Sequence, residues 1–110
     1  MVFGGEMDLV TKVVHREHVN ILVTGTIKTI ANAQVIKEAI RHAHEQHPDA
    51  IINLTIKDSF IITSSVIGFV IKSIKMDKMS LHVNVGSDEL YEMLNDMNLI
   101  EIMNVGKVSE

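Results

Sequence analysis

Ala50-Ile51-Ile52-Asn53-Leu54-Thr55-Ile56-Lys57-Asp58-Ser59-Phe60-Ile61-Ile62-Thr63-Ser64-Ser65-Val66-Ile67-Gly68 is the passage on which the fold turns. Residues 50–56 are a short apolar run and predict a strand buried on both faces. Residues 57–62 read as a loop. Thr63, Ser64 and Ser65 then offer hydroxyl oxygens to the unpaired N–H groups at the start of a helix expected over 65–78. Ile67, Val70, Ile71 and Ile74 give that helix a stripe that one side of a sheet can bury, while Val66, Phe69, Ser73 and Met76 fall on a second flank. A second apolar flank on a surface helix points to a contact site.

The same alternation of strand and helix extends in both directions. Towards the N-terminus, residues 30–47 carry Val35, Ile36, Ala39, Ile40 and Ala43 at helical spacing, with Lys37, Glu38, Arg41 and Glu45 opposite and Pro48 just beyond. Before that helix, residues 9–15 and 19–26 are rich in β-branched side chains and meet at Arg16-Glu17-His18, the pattern of a hairpin. Towards the C-terminus, residues 81–85 predict a strand and Gly86-Ser87-Asp88-Glu89 a turn with two acids at the head of a third helix. That helix is expected to run to Asn98, with a final strand over 100–105. The sum is an α/β fold: a mixed sheet of about five strands, an N-terminal hairpin followed by parallel strands, with three to four helices packed against it. One proline and no low-complexity segment predict a single domain over residues 1–110.

Composition narrows the chemistry. Ten Lys+Arg against 14 Asp+Glu leave a net charge of −4, and only 4% of residues are aromatic, which argues against a nucleic-acid surface. With no cysteine, thiolate catalysis, iron–sulfur clusters and Cys-based zinc sites are excluded. Met1-Val2-Phe3-Gly4-Gly5-Glu6 has neither the basic start nor the apolar stretch of a signal peptide. The longest uncharged run, residues 59–71, is short of the roughly 20 residues that cross a bilayer. A cytoplasmic protein without membrane insertion is expected.

His42-Ala43-His44-Glu45-Gln46-His47 raises a metal site, but on a helix positions 42 and 44 point about 200° apart, so only His44 and His47 share a face. Two imidazoles without a third ligand make a poor zinc site, and histidines in a last helical turn suit the dipole. His15 and His18 flank the hairpin tip and His82 alternates with Leu81 and Val83 in a strand, all structural positions. Gly25-Thr26-Ile27-Lys28 lacks the spacing of a phosphate-binding loop, and Ser64 and Ser65 have no nucleophile-elbow pattern. No enzyme activity, metal or cofactor is expected.

With these residues in view the chain resembles the STAS family, the domain of bacterial anti-sigma factor antagonists and of sulfate-transporter tails. The resemblance covers residues 9–105. It rests on Gly25 closing the second strand, on the strand–loop–Ser64-Ser65–helix passage, and on Leu90-Tyr91-Glu92-Met93-Leu94, Asn98-Leu99 and Ile100-Glu101-Ile102 as closing helix, turn and strand. It implies a regulatory domain that binds a serine kinase which is also an anti-sigma protein. In the family the loop usually reads Asp-Ser-Ser-Gly and the first serine is phosphorylated; carried over, that serine is Ser64, with Ser65 beside it. Phosphorylation would weaken the complex by repulsion and desolvation. Thr63 stands where the family has aspartate, Val66 where it has glycine, and Gly25-Thr26-Ile27-Lys28 replaces a common Gly-Glu-Leu-Asp.

Expected partner contacts are Thr63, Ser64, Ser65, Val66, Phe69 and Ser73. The apolar helix flank leaves the chain a monomer or a weak homodimer. Three other readings remain open from the sequence: a scaffold that no longer switches, a small-ligand sensor with its cleft near Gly25 and Thr63, and, least favoured, a metal-dependent enzyme built on His42, His44 and His47.

Overall fold

Aliphatic side chains at every second position build three strands that each bury one face. The computed structural model describes residues 6–14 and 18–108, so His15, most of the turn expected at 16–18, and residues 1–5 lie outside it. In chain order the elements are β1 (Asp8–Val14), β2 (His18–Thr24), α1 (Ile30–Gln46), β3 (Ile51–Ile56), α2 (Ser64–Lys75), β4 (Leu81–Val85), α3 (Asp88–Asp96) and β5 (Val105–Lys107). Val19, Ile21 and Val23 of β2, Ile52, Leu54 and Ile56 of β3, and Leu81, Val83 and Val85 of β4 are all buried. The residues between them point the other way.

The sheet has the order β1-β2-β3-β4-β5. β1 and β2 are antiparallel, Asp8 opposite Thr24 and Val14 opposite His18. The remaining neighbours are parallel, with Ile21 opposite Leu54 and Leu54 opposite Val83. The α/β class, the mixed sheet and the hairpin-then-parallel order follow the expectation, with three helices among the described residues.

Each parallel crossover joins adjacent strands, and crossovers of one hand then carry every helix to the same side of the sheet. Ile36 and Ile40 of α1, Val66 and Val70 of α2, and Leu90 and Leu94 of α3 are buried there. Full burial of each such side chain contributes about 1.5–3 kcal/mol. Among the described residues the opposite sheet face has no helix. This corrects the expectation for residues 50–56: β3 is not buried on both faces, because Asn53 and Thr55 look out on the uncovered side and are only half-buried.

The helices also shift in phase and length. In α1 the buried positions are Ala33, Ile36, Ile40 and Ala43, while Val35 is 47% exposed and lies outside the stripe. α2 ends at Lys75 rather than 78, because Lys78 adopts φ 57° and the Met79 N–H turns back to the Ser73 carbonyl at 3.0 Å. Its core-facing residues are Val66, Val70 and Ser73, with Ile67, Ile71 and Ile74 only partly buried.

The strand expected over 100–105 is a turn, and β5 is Val105–Lys107. Asn98 and Asn104 take left-handed φ values of 60° and 53°, and the Val105 N–H closes on the Ile100 carbonyl at 2.8 Å. Asparagine tolerates that region better than most residues. Met103 fills the core beneath the turn.

Candidate functional site

The carboxyl ends of parallel neighbours share one edge of a sheet, so the loops that follow β2 and β3 must lie side by side. They are tied together by hydrogen bonds. The Gly25 N–H donates to Asp58 Oδ2 at 3.2 Å, and the Ile27 N–H donates to Ser59 Oγ at 3.0 Å. The Ser59 hydroxyl in turn donates to the Ile61 carbonyl at 2.6 Å, which fixes the second loop from inside. Gly25 sits at φ +82°, and a Cβ there would run into the Glu6 backbone.

This junction sets two helix heads next to each other. Thr29 caps α1 in a capping box: its Oγ1 accepts from the Asn32 N–H at 3.0 Å, and Asn32 Oδ1 accepts from the Thr29 N–H at 3.1 Å. Thr63 caps α2, its Oγ1 accepting from the Val66 N–H at 3.2 Å. A cleft of about 220 Å³ opens between the heads, lined by Lys28, Thr29, Ala33, Lys37 and Thr63 to Ser65 among others. Neither helix has an acidic residue in its first turn, whereas α2 carries Lys72 and Lys75 in its last. Helix dipoles and lysines therefore give the cleft a positive character.

The residues singled out in the sequence separate into two groups. Thr63 caps the helix, and Ser64 and Ser65 at its first positions are exposed in the cleft. Thr63 supplies the cap through its hydroxyl and carries no charge. Val66 and Ser73, expected at a partner surface, are 0% and 1% exposed and face the sheet, so they are out of a partner's reach. The helix is rotated relative to the expected stripe: Val66 and Ser73 of the flank read as a second surface join Val70 on the core side, while Met76 of that flank is 72% exposed. Phe69 is half-buried, with the Arg41 guanidinium 5.7 Å from its ring centroid.

Several site residues were not named in advance. Lys28 and Lys37 reach the cleft only because β2 and β3 are neighbours. Ile30, Phe60 and Ile61 are 86%, 65% and 44% exposed around the two helix heads and the loop before α2. The apolar triplet Phe60-Ile61-Ile62 inside a loop was the available signal. Ile62 alone of the three turns inward. Gly25, expected beside a ligand cleft with Thr63, is itself buried, its N–H held by Asp58.

Elsewhere, His42 is exposed, His47 is the C-cap of α1, and His44 is half-buried with Nδ1 unpaired. Among the described residues no three metal-ligating side chains come together. None of the helices is long and apolar enough to cross a membrane. The uncovered sheet face carries a shallow hollow of about 450 Å³ between Val10, Lys12, Asn20, Leu22, Asn53, Thr55 and Asn84. There Asn53 Nδ2 donates to Asn20 Oδ1 at 3.1 Å, and Lys12 is the one ionisable group among the described lining residues.

No family model matches the chain, and no curated protein matches it.

Proposed function

We propose that this chain is a regulatory protein-binding domain similar to the anti-sigma factor antagonists of the STAS family, acting in the cytoplasm without catalysis of its own. Its contact surface is the head of α2 with the loop before it. Its partner is an ATP-binding serine kinase that also serves as an anti-sigma protein.

One observation supports this reading above the others. Thr63 takes over the capping of α2, which leaves Ser64 and Ser65 exposed, with Ile30, Phe60 and Ile61 exposed nearby. Hydroxyls free of a structural task and ringed by apolar side chains combine a modification point with a docking area. Covering Phe60 alone in a complex is worth up to about 3 kcal/mol.

A kinase acting here moves the γ-phosphoryl group of ATP to Ser64 Oγ. ADP leaves, and the hydroxyl proton passes to a base on the kinase. The phosphate brings a charge of about −1.5 to −2. Inside the domain that charge meets two helix heads, Lys28 and Lys37, and is accommodated. Against an apolar partner surface the same charge has to be desolvated, which costs several kcal/mol. Phosphorylation at Ser64 thus acts on the complex and leaves the fold intact.

The test is incubation of the chain with ATP and a native lysate, followed by mass mapping, run beside a pull-down with wild-type and Ser64→Asp baits. One phosphoryl group on Ser64, and a kinase captured by wild type and lost with Ser64→Asp, support the reading. An unmodified Ser64, with one kinase captured equally by both baits, replaces the switch by a constitutive scaffold. Capture of no kinase by either bait overturns the partner assignment.

A further inference from the structure

The two edges of the sheet are built differently. β5 is three residues long, contains Gly106, and ends in Lys107 paired with Asp88. An edge so short offers little to an incoming strand. β1 has seven residues, no proline, and an unbroken one-to-one register with β2 from Asp8 to Val14. Val10, Thr11, Val13 and Val14 are β-branched, and Val10 and Val13 are 56% and 49% exposed. The usual protections of an edge are a bulge, a proline or a covering helix, and among the described residues β1 has none of them beyond Lys12.

Charge placement identifies what fits this edge. When a second copy of β1 is laid antiparallel about a two-fold axis at Val10, Asp8 of each copy faces Lys12 of the other. Val10 faces Val10, Leu9 faces Thr11, and Met7 comes opposite the exposed Val13. Moving the axis by one residue either way sets Asp8 opposite Val14 or Val10 and breaks the match. The axis at Val10 also extends a row already present in the sheet. Val10 lies opposite Leu22, which is 40% exposed, so the two copies form the row Leu22, Val10, Val10, Leu22.

We propose that β1 is a homodimer interface, joining two five-stranded sheets edge to edge in the Val10-centred register. The contact is isologous and closes on itself, so it satisfies both exposed edges without opening a route to filaments.

Sedimentation equilibrium on the full chain, from low micromolar to several hundred micromolar, tests the proposal. Wild type is expected to dimerise. Lys12→Asp sets two carboxylates opposite each other at each end of the seam and weakens the dimer about tenfold or more, as does Val10→Lys. The exchange Asp8→Lys with Lys12→Asp restores it, which an unrelated interface would not do. Because the chain has no cysteine, Val10→Cys is expected to form a disulfide-linked dimer on oxidation, while Phe60→Cys, exposed at the α2 head, forms far less. Both positions are exposed, and circular dichroism confirms that each variant folds. A monomer throughout the range, a dimer indifferent to Lys12→Asp and Val10→Lys, or equal crosslinking by the two cysteine variants overturns the proposal.

Discussion

Replacing Ser64 by aspartate separates the stability of the fold from the proposed switch. Ser64 is the first residue of α2, a helix with no acid in its first turn and with Lys72 and Lys75 in its last. A carboxylate placed there meets the positive end of the dipole, a gain of about 0.3–1 kcal/mol at low salt. Lys28 and Lys37 share the cleft, but exposed pairs of this kind add a few tenths of a kcal/mol at most. Nothing is lost in exchange, because Thr63 holds the cap. A net gain of about 0.5 kcal/mol corresponds to a melting temperature about 2–3 °C higher for a domain of this size. Thermal unfolding followed by circular dichroism reads this directly. The increment should shrink to nothing near 1 M salt, where the Debye length is about 3 Å. Lys72→Glu, at the other end of the same helix, should move the melting point the opposite way. If Ser64→Asp lowers the melting temperature, or raises it by an amount that salt does not touch, the electrostatic account of the cleft is wrong. A Ser64→Asp protein that is at once more stable and poorer at binding its partner is the signature of a switch acting outside the fold.

The neighbouring cap behaves differently from the serines it relieves. Thr63→Ala should cost about 1 kcal/mol in a urea titration, Thr63→Asp should cost little, and Ser64→Ala should cost almost nothing; a larger loss at Ser64 than at Thr63 would reassign the cap. Gly25→Ala forces a side chain into φ +82° and against the Glu6 backbone, so a loss of at least about 1–2 kcal/mol is expected; an unchanged urea midpoint would show that the β2–α1 loop is not held as described. The Lys107 ammonium is raised above its ordinary pKa of 10.5 by a hydrogen bond to Asp88 and the attraction between their charges. A pKa raised on folding favours the protonated native state, so this contribution is complete below 10.5 and is lost as pH climbs through the raised value. The melting gap between wild type and Lys107→Gln should therefore be constant from neutral pH upwards and close in strong alkali; a gap that persists there would assign it to packing on Tyr91, whose ring centroid lies 5.8 Å from the ammonium.

What could be read in the sequence is what local chemistry decides. Residues 81–85 form a strand and 30–46 a helix because each segment carries its own period, and Thr63-Ser64-Ser65 announces a helix head because hydroxyls precede an apolar periodic run. The errors arise where tertiary placement chooses between local options. Ile100-Glu101-Ile102 alternates like a strand, yet the chain must turn back after α3 to bring β5 parallel to β4, and asparagines at 98 and 104 make that reversal possible. Val35 and Ala33 are both compatible with a helical stripe; the sheet, which α1 meets along 33, 36, 40 and 43, selects one phase. The same rule puts Val66 and Ser73 inside rather than on a partner surface.

The uncovered sheet face was legible and misread. Asn20, Asn53 and Asn84 alternate with buried aliphatics in three successive strands, the mark of a sheet wet on one side. Parallel strands usually have helices on both faces, the pattern expected for residues 50–56, whereas here Asn53 and Thr55 face the side without helices. The consequence is functional. With every crossover joining neighbours, all three helix heads and the loops before them gather at one end of the sheet, while β1 is left as a bare edge. None of the residues that line the cleft at Ser64 belongs to β1. Pairing of two chains along β1, as proposed, would therefore leave both clefts available, so that the dimer would present two copies of the proposed Ser64 surface in place of one.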